Sequence, residues 1–237
     1  MSVRQRRTAG VLGGLGPLAT IEFMSMVAAR TVARVEQEHA DLVVTQRSST
    51  PDRTAAILGR GPSPAPVMAA DARRLEAAGA EFIVIPCNTA SRFLGAVEQA
   101  VSIPVLSIVE ETLAEVRRRL PQARRIGLMA TDGTLSSRVY HDAAAQAGLE
   151  VLVPDETTQA RVMAMIYEGV KVGRPVPRQE LMACVEVLLG AGADAVVTGC
   201  TELSVLCSRY GADSGQVVDS LAALARRTVL ECGCELA

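Results

Sequence analysis

Residues Ala78–Ser91 read AGAEFIVIPCNTAS and residues Ala191–Ser204 read AGADAVVTGCTELS. An Ala-Gly-Ala turn, an acid, an apolar run, a cysteine, polar residues and a serine therefore recur in one order, 113 positions apart. A fainter echo lies earlier in each copy, where Gly10 and Gly16 of AGVLGGLGP fall 117 positions before Gly127 and Gly133 of IGLMATDGT. A chain that repeats a supersecondary unit is directed toward a fold with internal symmetry. Two similar halves related by a pseudo-twofold axis follow from it.

The content of each half is legible from periodicity. Short apolar runs at Ala9–Leu12, Asp41–Thr45, Phe82–Ile85, Val105–Ile108, Arg125–Met129, Val151–Val153, Ala195–Thr198 and Gln216–Val218 read as strands. Segments with helical spacing lie between most of them, at Val67–Ala78, Glu110–Leu120, Ser136–Ala147 and Arg178–Leu189. Uninterrupted apolar strands alternating with helices predict parallel sheets covered on both faces. Leu58–Pro66, LGRGPSPAP, is the one long Gly/Pro-rich loop, of the kind that often lies over a site.

Composition closes off several classes. Aromatic residues are 3% of the chain and Trp is absent, so the core falls to Ala, Val, Leu, Ile and Met. A net charge of −2 without a basic stripe gives no footprint for nucleic acid or an anionic membrane. The basic stretch VRQRR before an apolar run has the outline of a secretory signal, but four glycines, Pro17 and Glu22 argue against it, and a soluble cytoplasmic protein is expected. The six cysteines, 87, 184, 200, 207, 232 and 234, lack zinc-type spacing and read as free thiols or nucleophiles, with no metal. Cys184, on a helical pattern, reads as a core residue, the Cys232–Cys234 pair as part of the C-terminal helix end, and Cys207 is open.

Cys87 and Cys200 stand where a strand ends and a helix is about to begin, the end of a parallel sheet where ligand crevices form. A thiol at a helix N-terminus has its thiolate favoured by the partial positive charge there. Two such thiols on opposite sides of one carbon form a base and an acid, and a proton removed from one face and returned on the other inverts a stereocentre. Asn88, Thr89, Thr131, Thr134 and Thr201 are suited to hold the substrate carboxylate beside them. Glu202 either orients Cys200 or caps the following helix.

The segments GVLGGLGPLAT (Gly10–Thr20), EQEH (Glu36–His39), PDRTAAILG (Pro51–Gly59), IPCNTA (Ile85–Ala90), ATDGT (Ala130–Thr134), IYEGVKVG (Ile166–Gly173) and TGCTEL (Thr198–Leu203) resemble the aspartate/glutamate racemase family, most of all its aspartate racemases. The resemblance implies an α/β protein of two pseudo-symmetric three-layer αβα domains with parallel sheets and the active site in the cleft between them. It implies an isomerase that needs no pyridoxal phosphate or other cofactor, commonly a homodimer, with an amino-acid substrate and the two cysteines as proton donor and acceptor. Asp52, Arg53, Thr54, Asn88, Thr89 and Lys171 match substrate contacts. The division expected is 1–107 for the first half and 108–210 for the second, with 211–237 packing back on the first.

Lys171 also draws notice by itself, as the one lysine among 24 basic residues. An ammonium is a compact point charge where a guanidinium fork does not fit. Two departures from the family pattern bear on specificity: Ser91 follows PCNTA where relatives carry His, and Gln46-Arg47-Ser48-Ser49 replaces an asparagine-rich turn. Rival readings are a dehydrogenase using Gly14, Gly16 and Ala19 as a GxGxxA turn with Arg47 for an NADP phosphate, a related decarboxylase or maleate isomerase, and an inactive amino-acid-binding protein.

Overall fold

The computed structural model describes residues 6–237. Val3, Arg4 and Gln5 of the basic stretch lie outside the described residues. The apolar run after it forms a buried strand, β1 (Ala9–Gly13).

The first sheet has the order β2-β1-β3-β4, with β2 at Leu42–Gln46, β3 at Phe82–Val84 and β4 at Val105–Leu106. The second has the order β6-β5-β7-β8, with β5 at Arg125–Met129, β6 at Glu150–Leu152, β7 at Ala195–Thr198 and β8 at Val217–Asp219. All six strand pairings are parallel. The duplication in sequence is thus a duplication in topology, since each sheet orders its strands second, first, third, fourth.

Helices α1 (Pro17–Arg30), α2 (Arg53–Ile57), α3 (Ala65–Ala77) and α4 (Leu94–Glu98) belong to the first half of the chain. Helices α5 (Ile108–Arg119), α6 (Asp132–Ser137), α7 (Val139–Gln146), α8 (Glu156–Ala164), α9 (Arg178–Gly190), α10 (Thr201–Tyr210) and α11 (Ser220–Glu231) follow. The strand expected over Val105–Ile108 stops at Leu106, because Ser107 accepts a hydrogen bond from the Glu110 amide and starts α5. The helix expected over Ser136–Ala147 is broken at Arg138, whose φ of 58° ends α6 and starts α7.

Between the two sheets lies one continuous apolar core. It joins Phe23 and Val27 of α1 and Val11 and Phe82 of the first sheet to Leu128 and Val197 of the second, through Leu113 of α5 and Leu221 and Leu224 of α11. Smaller clusters cover the outer faces, one around Met68 and Leu75 of α3, the other around Leu181 and Leu188 of α9. The C-terminal segment serves both halves: β8 completes the second sheet, while α11 packs on α1 and α5. A boundary at residue 210 therefore separates β8 from the sheet it pairs with.

Two glycines of the faint repeat mark where the halves meet. A Cβ on Gly16 would stand 2.8 Å from the Glu202 carboxylate, and one on Gly133 would stand 2.8 Å from the Thr54 Cα. Each copy supplies the bare backbone against which the other half closes.

Candidate active site

The turns after β3 and β7 bring Cys87 and Cys200 to the same place. Both sulfur-bearing residues line one cavity of about 10 Å³ between the halves, the room of about one water molecule. Cys87 is 5% and Cys200 4% exposed. Leu15, Thr54, Asn88, Thr89, Thr131 and Thr201 also line the cavity, and Asp52, Arg53, Lys171 and Glu202 line both it and the pocket outside it. Eleven of the twelve residues singled out in the sequence thus meet at this cavity. Thr134 stands one layer behind, its hydroxyl 2.9 Å from that of Thr89 and 3.0 Å from that of Thr131.

Those three threonines form a closed triangle, since Thr89 and Thr131 are also 3.0 Å apart. Thr131 caps α6 by accepting from the Thr134 amide. The triangle joins the first half at Thr89 to the second at Thr131, and its hydroxyls are buried.

The two thiols have unlike surroundings. Cys200 is the N-cap residue of α10, where the helix terminus alone would favour a thiolate. The structure reverses that expectation. Burial first, and then the Glu202 carboxylate, push the Cys200 thiol well above its ordinary value. Its Sγ donates to Glu202 Oε2 at 3.0 Å, a bond that requires the proton on sulfur. Glu202 lies in the first turn of α10, so it both faces Cys200 and sits at the helix terminus.

Cys87 has a cation instead. It precedes a 3-10 helix, Thr89–Phe93, that runs directly into the short α4. Arg53 is 8% exposed and borders the same cavity. Burial lowers the Arg53 proton affinity, but Cys87 and Asp52 more than restore it, so the guanidinium is held above its ordinary value. Its Nη2 donates to Leu15 O at 2.7 Å and its Nη1 to Pro51 O at 3.0 Å. The buried Nε has no partner. Arg53 is therefore a fixed donor, held by the turns of its own half and with one N–H unspent.

Asp52 and Lys171 close the cavity from opposite halves. Asp52 caps α2 by accepting from the Ala55 amide at 2.8 Å, and Lys171 Nζ lies 3.5 Å from Asp52 Oδ2. Burial works against the Asp52 charge, yet the Ala55 amide and Lys171 outweigh it and hold the carboxyl below its ordinary value. Burial also opposes the Lys171 charge, but Glu202 and Tyr167 lead the groups that keep it above the ordinary lysine value.

Tyr167 was not singled out as a site residue, although it lies within the quoted segment IYEGVKVG. Its ring carries the Lys171 ammonium 3.7 Å from the centroid and its hydroxyl donates to Asp52 Oδ2 at 3.4 Å. The chain reaches this arrangement through a π-helical turn at Met165–Gly169, an irregularity frequent at functional sites. No periodicity in the sequence marks such a turn.

Outside the Asp52–Lys171 pair, a pocket of about 300 Å³ opens to the surface past Gly14, Leu18, Ser48, Thr50 and Val170. It shares Asp52, Arg53, Lys171 and Glu202 with the inner cavity. None of residues 58–66 lines either space, so the Gly/Pro-rich loop does not cover the site. Ser91 lines neither one. Arg47, the residue a nucleotide phosphate would need, is committed to Asp71 through two bonds of 2.6 and 2.8 Å. Cys184 and Cys207 are buried in the outer core cluster of the second half, and Cys232 in the central core. No grouping of three His, Cys, Asp or Glu that could hold a metal occurs among the described residues. No helix among them is long and apolar enough to cross a membrane.

Comparison with known proteins agrees with this picture. A family model described as Asp/Glu/Hydantoin racemase matches residues 12–228. The broad specificity amino-acid racemase RacX of Bacillus subtilis is 31% identical over 159 residues, which cover 66% of each chain. A glutamate racemase of Deinococcus radiodurans is 32% identical over 158 residues, 63% of this chain and 52% of that one. The matched stretches thus span about half to two thirds of those relatives. Among solved structures, the aspartate racemase of Picrophilus torridus superposes with a TM-score of 0.81 at 27% identity, covering 98% of this chain and 96% of that one.

Proposed function

The chain belongs to the Asp/Glu/hydantoin racemase family, and on that premise we propose that it interconverts the L and D forms of aspartate, or of a close dicarboxylic amino acid such as glutamate, by two-base proton transfer. The observation that carries the reading is the pair of thiols on one cavity with opposite charge environments, Arg53 by Cys87 and Glu202 by Cys200.

Cys200 holds its proton against Glu202 and is the acid of the first half-cycle. The role of base falls to Cys87. Its thiolate takes the α-proton, leaving an electron pair delocalised into the substrate carboxylate, and Cys200 delivers a proton to the opposite face. The product leaves a Cys87 thiol and a Cys200 thiolate, and the reverse reaction exchanges the roles. The carboxylate needs donors already in place: the unspent Nε of Arg53 and the hydroxyls of Thr89, Thr131 and Thr201 are the candidates. Lys171 supplies a positive charge for a second carboxylate at the outer wall.

One observation favours a wider substrate range. The inner cavity holds about one water molecule, whereas the adjoining pocket has about 300 Å³, so a side chain longer than that of aspartate has room to extend outward. The relation to a broad specificity racemase points the same way.

The test is to incubate the protein, free of pyridoxal phosphate and metal, with L-aspartate, L-glutamate and a neutral amino acid in D2O. Uptake of deuterium at the α-carbon together with appearance of the D enantiomer is expected for the acidic substrates, and uptake with the neutral one would establish the wider range. Cys87→Ala and Cys200→Ala should each abolish inversion. A single variant that still racemises at the normal rate would overturn the two-base assignment.

A further inference from the structure

The turns that carry the two cysteines are tied together by a buried chain of hydrogen bonds that neither sulfur joins. Tyr140, on α7, is fully buried, and its hydroxyl donates to Asn88 Oδ1 at 2.6 Å. Asn88 Nδ2 donates to Ser220 Oγ at 2.9 Å. Ser220 Oγ donates in turn to the Thr198 carbonyl at 2.8 Å.

The ends of this chain matter. Asn88 follows Cys87 directly, and Thr198 stands two residues before Cys200. Asn88 comes from the first half, while Tyr140, Ser220 and Thr198 come from the second. The donors all run in one direction, because Ser220 gives its proton to a carbonyl and can only accept from Asn88. That fixes the Asn88 amide nitrogen toward Ser220 and its oxygen toward Tyr140. Thr112 Oγ1 gives its own proton to Ile108 O at 2.6 Å and can only accept from the phenol 3.5 Å away, so the Tyr140 proton goes to Asn88 Oδ1 at 2.6 Å.

We infer that Tyr140 and Ser220 are positioning residues that act through Asn88 to set the spacing between the Cys87 and Cys200 turns. The inference rests on the racemase reading given above for its kinetic consequence. Neither residue lines the cavity, so neither is a substrate contact. Proton transfer between two thiols and one carbon is sensitive to that spacing in a way that ground-state binding is not. Tyr140 and Ser220 are fully buried away from the cavity, so bulk solvent has no direct route to the links they make, and each bond polarises the next.

The test uses Tyr140→Phe, which keeps the ring and removes only the donor, and Ser220→Ala, which removes the central link. For both variants kcat should fall about ten- to a hundred-fold in the two directions alike, with KM changed by less than about two-fold. A rise in KM with kcat intact would overturn the inference, since it would make Asn88 a binding group only. Unchanged kinetics in both variants of an active enzyme would overturn it too.

A second readout needs no turnover. Alkylation by iodoacetamide, followed for each cysteine peptide by mass spectrometry, should accelerate at Cys87 in Tyr140→Phe by about three-fold or more as the turn loosens. Cys184, on α9, should be unaffected. If the unaltered protein exchanges no α-proton, the racemase reading fails, and the alkylation rates alone decide whether the chain of bonds holds the turn: an unchanged Cys87 rate would overturn it.

Discussion

Cys200 Sγ lies 3.0 Å from Glu202 Oε2, so the thiol at the start of α10 faces a carboxylate two residues along its own chain. The helix terminus and the carboxylate act in opposite senses on the sulfur, and burial sides with the carboxylate. The consequence is a cysteine that keeps its proton at rest.

Glu202→Gln keeps an acceptor for the thiol and removes the like charge. A neighbouring anion disfavours the thiolate, so its loss should move the pH midpoint for alkylation of Cys200 to lower values and raise its rate near pH 8. Peptide-resolved alkylation rates of both proteins, compared across pH 7 to 10, measure this. Equal Cys200 rates throughout would assign the whole effect to burial.

Lys171 is held by Asp52 at 3.5 Å and by the Tyr167 ring at 3.7 Å. If its ammonium binds a substrate carboxylate, Lys171→Ala should cost about ten- to a hundred-fold in kcat/KM, the worth of a charged hydrogen bond. Lys171→Arg should recover little of it, because the planar fork does not occupy the space over the ring as a compact ammonium does. Steady-state kinetics on both variants decide the point, and full activity in Lys171→Ala would remove the residue from the substrate site.

Gly133 bears on the contact between halves. A Cβ there would meet the Thr54 backbone at 2.8 Å, and backbone cannot swing aside as a flexible side chain can. Gly133→Ala should lower the unfolding free energy by about 1–3 kcal/mol, the usual cost of overpacking. Activity should fall as well, since Thr54 lines the cavity. Urea unfolding of the variant beside the unaltered protein measures the first effect, and equal midpoints would contradict the closeness of this contact.

Asp219, at the N-terminus of α11, is fully buried, and burial first, with Asp213 adding, pushes its carboxyl up to about 6. The folded value lies above the ordinary 3.8, so the folded form binds the proton more tightly than the unfolded one. The contribution is complete below about pH 3.8 and is lost as pH rises through about 6, on the order of 3 kcal/mol in all. Asp219→Asn keeps an N-cap acceptor for Leu221 and carries no charge. Its stability relative to the unaltered protein should therefore increase between pH 4 and pH 7.5. Parallel stability profiles over that range would show that Asp219 does not titrate there.

Sequence alone determined the strands, the helices α3, α5 and α9 between them, the duplication, and the register that sets Cys87 and Cys200 at equivalent strand ends. These are short-range matters: apolar periodicity, a cysteine after an apolar run, and motifs that stay contiguous in the chain. The polar residues of those same motifs, from Asp52 to Glu202, were legible for the same reason. Tertiary structure alone decided that the two strand ends face one cavity, because that requires α1, α5 and α11 to bury a common core between the sheets. It also decided that Cys200 is a protonated thiol despite its place at a helix terminus, since the cost of charge in a site 4% exposed comes from residues packed around it. Tyr140, 52 positions from Asn88, became a partner of the cysteine turn only when the two halves closed on each other. Local sequence carries the chemistry of each turn, while the separation, burial and protonation of groups brought together from distant turns exist only after packing excludes water.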